Sequence, residues 1–213
     1  MNSKNKTIAA NNACLLVIDV QLDFCPGGAL AVEQGDLVVH PINQLIKRAE
    51  NSVLTQDWHP KDHSSFASSH AEKQPFSVIE MPYGKQTLWP DHCIQNSVGA
   101  EFHPELNSQA AQTIIRKGFR SEIDSYSAFF ENDGRTVTGL DGWLRAKNIQ
   151  TLYLAGLATD YCVAYSALDA ARLDFDVHVV LPACRAIDLD GSLAHQLEAM
   201  QQSGITLLEK IPE

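Results

Sequence analysis

The chain has 213 residues, of which 45% are hydrophobic, and its formal net charge is −10. This length suits one α/β domain with a sizeable core. The acidic balance excludes a basic face, so we expect no nucleic acid and no membrane surface as partner. No apolar run approaches the roughly 18 residues of a membrane span. Residues 1–12 are polar and lack the apolar segment of a signal peptide, which predicts a flexible tail and a cytoplasmic protein.

Short apolar segments alternate with segments of helical periodicity along most of the chain. Such strands, apolar throughout, predict a parallel sheet covered by helices on both faces. No linker divides the chain, so we predict a single three-layer α/β/α domain, Rossmann-like, over residues 13–213. The predicted strands are 13–17, 52–56, 111–116, 149–155, 175–181 and 205–208, and the predicted helices are 36–51, 138–148, 161–172 and 190–203.

The segment from Trp58 to Ser108 departs from this alternation. It has no convincing periodicity, and it contains five prolines and five of the eight histidines. A long irregular excursion in a compact domain is usually functional or disordered, and these aromatic and histidine side chains argue against disorder. We therefore predict an irregular metal-site and lid segment over about residues 58–108.

Five cysteines are present, in an odd number, at wide spacing and without a Cys-x-x-Cys pair. This pattern indicates a reducing compartment rather than a disulfide framework. Cys162 is placed differently from the other four. An apolar strand precedes it, Gly156 is expected to end that strand, and Thr159 and Asp160 are expected to cap the following helix. A thiol in the first turn of a helix has a lowered pKa and lies beside N–H groups that can bind an oxyanion. A small buried thiol is the competing interpretation.

Polar side chains follow three of the other predicted strands. Asp19, Asp57 and Lys117 each lie at the carboxyl end of a short apolar run. Ligands of open parallel sheets bind at that edge, so these side chains and Cys162 are expected to converge. In such a set Asp19 accepts the thiol proton, and Lys117 stabilises the thiolate. Taken singly, each has a simpler interpretation as a capping carboxylate, a surface lysine or a core thiol.

A second group combines Asp57 and His59 with His92. One carboxylate and two imidazoles with open positions make a catalytic type of site for Zn²⁺, Fe²⁺ or Mn²⁺. The wide spacing to His92 makes polar loop histidines a competing interpretation. His63 and His70 are further candidates in the same segment.

Seven motifs, in order from about Ala13 to the C-terminus, resemble those of the bacterial nicotinamidases (pyrazinamidases) of the isochorismatase-like hydrolase superfamily. They are Ile18-Asp19-Val20-Gln21-Leu22-Asp23-Phe24, Gln56-Asp57-Trp58-His59-Pro60, His63-Ser64-Ser65-Phe66-Ala67, Leu88-Trp89-Pro90-Asp91-His92-Cys93, Arg116-Lys117-Gly118, Asp124-Ser125-Tyr126-Ser127-Ala128-Phe129 and Gly156-Leu157-Ala158-Thr159-Asp160-Tyr161-Cys162-Val163.

This resemblance implies a six-stranded, mostly parallel sheet and the hydrolysis of nicotinamide to nicotinate and ammonia in NAD salvage, with pyrazinamide as a second substrate. It implies one divalent metal ion, Zn²⁺ before Fe²⁺ or Mn²⁺, which binds the pyridine nitrogen. It also implies a cis peptide before Ala158. The implied site residues are the triad Asp19, Lys117 and Cys162, the metal ligands Asp57, His59 and His92, the ring-enclosing Phe24, Trp89, Tyr126 and Tyr161, and an oxyanion hole of the Ala158 and Cys162 N–H groups.

Two other function classes stay open at this point. The first is a metal-free relative that acts on isochorismate or on an N-carbamoyl compound, against which the Asp57, His59 and His92 set argues. The second is a non-catalytic binding member, against which the retained triad argues. The sequence does not choose between a monomer and a small homo-oligomer.

Overall fold

The computed structural model describes residues 7–212 and is built around a six-stranded sheet in which every strand pair is parallel. The strand order is β5-β2-β1-β6-β7-β8. A separate antiparallel hairpin, β3–β4, lies outside this sheet. The strands are β1 Ala13–Ile18, β2 Ser52–Asp57, β3 Val78–Met81, β4 Gly84–Thr87, β5 Thr113–Lys117, β6 Thr151–Leu157, β7 Asp176–Arg185 and β8 Thr206–Leu208.

The central strand β1 shows how the sheet separates two apolar layers. Leu15 and Val17 pack into one cluster, whereas Leu16 and Ile18 pack into the other, because alternate side chains of a strand point to opposite faces. Helix α1 (Val39–Arg48) covers the first face. Helices α2 (Leu140–Ala146), α3 (Ala164–Arg172) and α4 (Ser192–Gln202) contribute buried residues to the second. The predicted three-layer α/β/α class is confirmed.

The prediction that Gly156 ends its strand is wrong. Strand β6 continues through Leu157, and Gly156 pairs with Ile18 on one side and Cys184 on the other. The φ of Gly156 is +131°, and an added Cβ would lie 2.1 Å from the carbonyl oxygen of Ile18. The glycine therefore serves close strand packing and not strand termination.

Two further segments differ from their predicted structure. The predicted tail includes Ile8, which is fully buried in the first apolar cluster, while residues 1–6 lie outside the described part of the chain. The segment predicted to be irregular over 58–108 contains the hairpin β3–β4, whose strands are only four residues each and mostly polar or exposed. Within residues 7–212 no helix is long and apolar enough to cross a membrane. All five cysteines are buried and free.

Candidate active site

Sheet order brings the predicted residues together. Strands β5, β2, β1 and β6 are adjacent, so the residues at their carboxyl ends share one edge of the sheet. Asp57 and Lys117 are register partners on β2 and β5. Asp19 follows β1, and Cys162 follows β6 by five residues. The prediction that these four residues converge is confirmed, because the backbone places all of them at this edge of the sheet.

Lys117 lies at the centre of this group and is fully buried. Its Nζ lies 2.9 Å from Asp19 Oδ2, 2.5 Å from Asp57 Oδ1 and 3.5 Å from Cys162 Sγ, and it also donates to the carbonyl of Ser125 at 2.8 Å. Burial alone would lower the pKa of this ammonium group, but Asp19 and Asp57 outweigh that effect and raise the pKa well above its usual value. Lys117 is therefore a permanent cation that joins Asp19 and Cys162 to Asp57.

Asp19 is held by a second strand as well as by the lysine. Its backbone has φ 46°, which turns the chain sharply at the end of β1. Thr55 on β2 donates its hydroxyl to Asp19 Oδ1 at 2.5 Å, and its oxygen accepts the N–H of Asp19 at 3.1 Å. Burial raises the pKa of the Asp19 carboxyl, while Lys117 opposes this rise. A carboxylate with a raised pKa is a stronger base for a neighbouring thiol.

Cys162 lies in a π-helical turn, Thr159–Val163, that leads into α3. The turn carries no side-chain cap, so the capping roles predicted for Thr159 and Asp160 are wrong. The Asp160 carboxylate instead accepts the N–H groups of Ile187 and Asp188, at 3.0 and 2.8 Å, and thereby ties the loop before α4 to the turn. π-Helical turns are frequent at functional sites.

The expectation of a lowered pKa at Cys162 is also wrong for the resting site. Burial raises the pKa of the thiol well above its usual value; Lys117 opposes the rise, and Asp19 adds to it. Oxygen and sulfur atoms of Asp19, Asp57 and Cys162 lie within 4.8 Å of one another. The resting thiol is therefore protonated, and its activation requires transfer of the proton to a nearby base.

Asp57, His59 and His92 form the predicted metal-ligand set, with one ligand atom of each within 4.8 Å of the others. Asp57 Oδ2 lies 3.6 Å from His59 Nε2 and 3.9 Å from His92 Nε2. His59 Nδ1 lies 2.8 Å from the carbonyl of Gly118, and His92 Nδ1 lies 2.8 Å from that of Pro90. Such carbonyl contacts place the proton on Nδ1 and leave Nε2 as the ligand atom, as in most protein metal sites.

His63 lies beside these three residues, but both of its ring nitrogens make hydrogen bonds to other groups. Its Nδ1 accepts the N–H of Ser65 at 3.2 Å, and its Nε2 lies 3.2 Å from the carbonyl of Ile123. His70 similarly has its Nε2 2.7 Å from the carbonyl of Ser64. Neither histidine joins Asp57 in this arrangement.

A narrow cleft opens over Cys162 and over the Asp57 and His92 pair. All four side chains predicted to enclose a ring line it, as do Asp57, His92, Ala158 and Cys162. Trp89 and Tyr161 meet edge to face with ring centroids 4.9 Å apart, and Tyr126 meets Tyr161 at 5.6 Å. The peptide between Leu157 and Ala158 is cis, as the resemblance implied. The full lining is Phe24, Leu30, Asp57, Trp89, His92, Asp124, Tyr126, Ala158, Tyr161, Cys162 and Ile187.

Three of the residues that line the cleft were not predicted from the sequence to be site residues: Leu30, Asp124 and Ile187. Leu30 and Ile187 lie in loops without periodicity, and the loop of Ile187 is placed by Asp160. Asp124 falls within one of the collinear motifs, and its position beside Tyr126 was the signal that could have identified it.

Comparisons with known proteins agree on one family. Residues 13–211 match the model of the isochorismatase domain. A nicotinamidase of Acinetobacter baylyi is 52% identical over 196 residues, which is 92% of each chain. A solved Acinetobacter baumanii nicotinamidase and pyrazinamidase superposes with a TM-score of 0.92 at 54% identity, covering 93% of this chain and 96% of that one. A Pyrococcus horikoshii pyrazinamidase solved in complex with zinc superposes with a TM-score of 0.76 at 33% identity, covering 93% and 99%.

Proposed function

This chain belongs to the isochorismatase family, and we propose that within it the protein is a nicotinamidase. It hydrolyses the carboxamide of nicotinamide to nicotinate and ammonia, and it accepts pyrazinamide, a closely similar flat ring amide. The nicotinate that it releases serves NAD salvage. The observation that carries this proposal is that Cys162 and the ligand pair Asp57 and His92 line the same aromatic cleft. A heteroaromatic amide bound in this cleft can place its carboxamide carbon near the Cys162 sulfur and its ring nitrogen near Asp57 and His92.

The donor set at Asp57, His59 and His92 fits a divalent transition metal, because it presents one carboxylate oxygen and two Nε2 atoms with the opposite ring nitrogens at carbonyl groups. Asp57, His59 and His92 would hold such an ion, which would supply a Lewis acid for the ring nitrogen of the substrate. We propose Zn²⁺ as this ion. The mixed nitrogen and oxygen donors and the zinc-bound relative support that choice.

The first chemical step uses this chain's own triad. Asp19 accepts the proton of the Cys162 thiol, and Lys117 holds the carboxylate and the sulfur in place through its contacts at 2.9 and 3.5 Å. The sulfur forms a bond to the carboxamide carbon while the carbonyl π bond breaks toward oxygen. The backbone N–H groups of Ala158 and Cys162 receive the oxyanion; one such donor typically contributes about 10²–10³ in rate.

The second half of the cycle restores the thiol. Protonated Asp19 gives its proton to the leaving nitrogen, the C–N bond breaks, and ammonia leaves a thioester on Cys162. Water then attacks the thioester as Asp19 takes up one of its protons. Collapse breaks the C–S bond and releases the carboxylic acid, which loses its proton to solvent as nicotinate, and Asp19 returns its proton to the sulfur. Asp19 thus serves as base and acid in turn, a role that its position against Lys117 and Cys162 supports.

The test is ammonia release from nicotinamide, measured on the protein as purified, after exhaustive chelation, and after addition of Zn²⁺, Fe²⁺ or Mn²⁺. We expect activity that chelation removes and a divalent ion restores. Activity that survives verified removal of all metal would reduce Asp57, His59 and His92 to structural residues. If no ammonia appears in any sample but an N-carbamoyl amine or isochorismate is hydrolysed, the chain is one of the metal-free relatives instead.

A further inference from the structure

Gln86 is the one fully buried side chain of the hairpin β3–β4, and the half-buried Tyr83 of its turn donates a hydrogen bond to it. Every residue from Val78 to Thr87 is at least partly exposed except Gln86, which is fully buried. An isolated two-stranded hairpin is only marginally stable. What Gln86 contacts therefore determines where this hairpin lies.

Gln86 reaches behind the aromatic wall of the cleft. Its Nε2 lies 2.7 Å from the carbonyl of the adjacent Thr87, 2.8 Å from Asp124 Oδ2 and 2.9 Å from Tyr126 Oη. Its Oε1 accepts hydrogen bonds from Asn132 Nδ2 at 3.1 Å and from Tyr83 Oη at 3.2 Å. The orientation of both amides is fixed, because Asn132 Oδ1 accepts the backbone N–H of Tyr126 at 3.0 Å. Asn132 must then present its NH₂ group to Gln86, and Gln86 must present its own NH₂ group to Asp124 and Tyr126.

Tyr126 receives a second donor on the same oxygen. Trp89 Nε1 donates to Tyr126 Oη at 3.0 Å, and the two rings meet edge to face with centroids 6.1 Å apart. Asp124, Tyr126 and Trp89 all line the cleft, whereas Gln86 does not. A buried polar network whose members are satisfied makes its surroundings rigid. Gln86 is the member that connects the hairpin to two cleft residues at once.

We propose that Gln86 is a positioning residue for recognition of the substrate ring, which it serves by holding Tyr126 and Asp124 in place from behind. This inference deepens the proposed function and rests on it. In residues 7–212 no hydrogen bond or ion pair joins Gln86 to Asp19, Lys117 or Cys162. A hydrogen-bonded route from Gln86 to Lys117 runs through Asp124 and the backbone of Ser125. We therefore expect Gln86 to act first on ring binding and only weakly on the reaction at the thiol.

The experiment compares Gln86→Leu with Lys85→Ala, an exposed neighbour on the same strand. Three quantities are measured: KM and kcat for nicotinamide, the Kd of nicotinate, and the rate at which iodoacetamide, which carries no ring, alkylates Cys162. We expect Q86L to raise KM and Kd about 10-fold, the effect of one or two hydrogen bonds. Its kcat and alkylation rate should stay within about 2-fold of the parent, and K85A should match the parent throughout.

A double-mutant cycle then tests the route through Tyr126. Y126F removes one of the two side-chain oxygens that Gln86 holds. We therefore expect Q86L to raise KM less in Y126F than in the parent, the remainder reflecting Asp124, so the two changes are not additive. If Q86L does not fold, Gln86→Met, which keeps an unbranched side chain of similar length but removes the NH₂ donors, replaces it, and the same rise in KM is expected.

Two results would overturn the inference. One is an unchanged KM and nicotinate Kd in Q86L, or in Gln86→Met if Q86L does not fold. The other is a parallel fall of kcat, alkylation rate and unfolding temperature, which is the pattern of a purely structural residue. Absence of ammonia release by the parent protein would contradict the proposed function instead, and the nicotinate affinities of the variants would still decide the role of Gln86.

Discussion

The cleft has two sides that are built in different ways. The sheet side consists of residues at the ends of adjacent parallel strands together with the two histidines beside Asp57, His59 and His92. Lys117 fixes the spacing of Asp57 and Asp19 through contacts of 2.5 and 2.9 Å. The loop side consists of the aromatic rings of Phe24, Trp89, Tyr126 and Tyr161, which lie in loops and turns after β1, β4, β5 and β6, and a buried amide network supports Tyr126. The chemistry is assigned to the sheet side, and recognition of the ring to the loop side.

This difference predicts that substitutions on the two sides have different effects. Changes on the sheet side should remove the reaction or the metal, whereas changes on the loop side should weaken binding or alter stability with the triad intact. The following substitutions test that separation, from the largest expected effect to the smallest.

The largest effect is expected for Cys162→Ala, which removes the nucleophile. Turnover of nicotinamide should fall by about 10⁴-fold or more, as for other enzymes that lose a covalent nucleophile. The matched control is Cys184→Ala, since Cys184 is also buried but lies in β7 without a contact to the triad in the described residues. Steady-state ammonia release measures both, and circular dichroism checks the fold. Near-parental turnover by C162A would refute the covalent mechanism.

His92→Ala is expected to lower metal content as well as activity. Removal of a ligand whose Nε2 lies 3.9 Å from Asp57 leaves two protein donors, and the loss should be at least the 10–100-fold in affinity that even a lost outer contact produces. His195→Ala is the control, because His195 is exposed on α4. Elemental analysis after dialysis against a buffered ion measures the effect. Equal metal content in the two variants would place the ion elsewhere.

Gly118→Ala should have a smaller effect on metal binding, which it exerts through the ring of His59. Gly118 has φ +64°, and an added Cβ would lie 2.4 Å from a ring carbon of His59, so the ring must move. We expect a reduced metal affinity, read by competition with a chromogenic chelator. Gly142→Ala in α2 meets nothing within 4 Å and should instead add up to about 1 kcal/mol of stability from helix propensity. An unchanged metal affinity in G118A would show that the His59 ring is not held where the structure places it.

The smallest effect concerns stability on the loop side. Glu131 is buried beside Arg120, and burial raises the pKa of its carboxyl although Arg120 opposes this. The folded state then binds the proton more tightly than the unfolded state, so this group's contribution to stability is lost as the pH rises through its folded pKa. In Glu131→Gln the unfolding temperature should fall less between acidic and neutral pH than it does in the parent, and kcat should be unchanged. The exposed Glu105→Gln is the control, and identical pH profiles for the two variants would contradict the assignment.

The sequence predicted the sheet side far better than the loop side, for a physical reason. Asp19, Asp57 and Lys117 each follow an apolar run, and parallel strands bring their carboxyl ends to one edge whatever the loops do. Cys162 was placed correctly, but its environment was not. Local sequence indicates a helix start with a lowered thiol pKa, whereas the surrounding burial and Asp19 decide the opposite direction.

The loop side depends on contacts between segments far apart in the chain. Gln86 lies 38 residues from Asp124 and 46 from Asn132, and nothing in its own exposed hairpin marks it as buried. Gly156 shows the same limit inside the sheet: its neighbours Ile18 and Cys184, not its place after an apolar run, determine that the strand continues.

The thioester on Cys162 is tested most directly by how its acyl group divides between water and an added nucleophile. Hydrolysis is run in the presence of hydroxylamine with two substrates, nicotinamide and methyl nicotinate, and the ratio of nicotinohydroxamate to nicotinate is measured. A common thioester predicts the same ratio from both substrates, because the leaving group has departed before partitioning. A ratio that differs with the leaving group, or hydrolysis without any hydroxamate, would mean that water attacks the carboxamide directly.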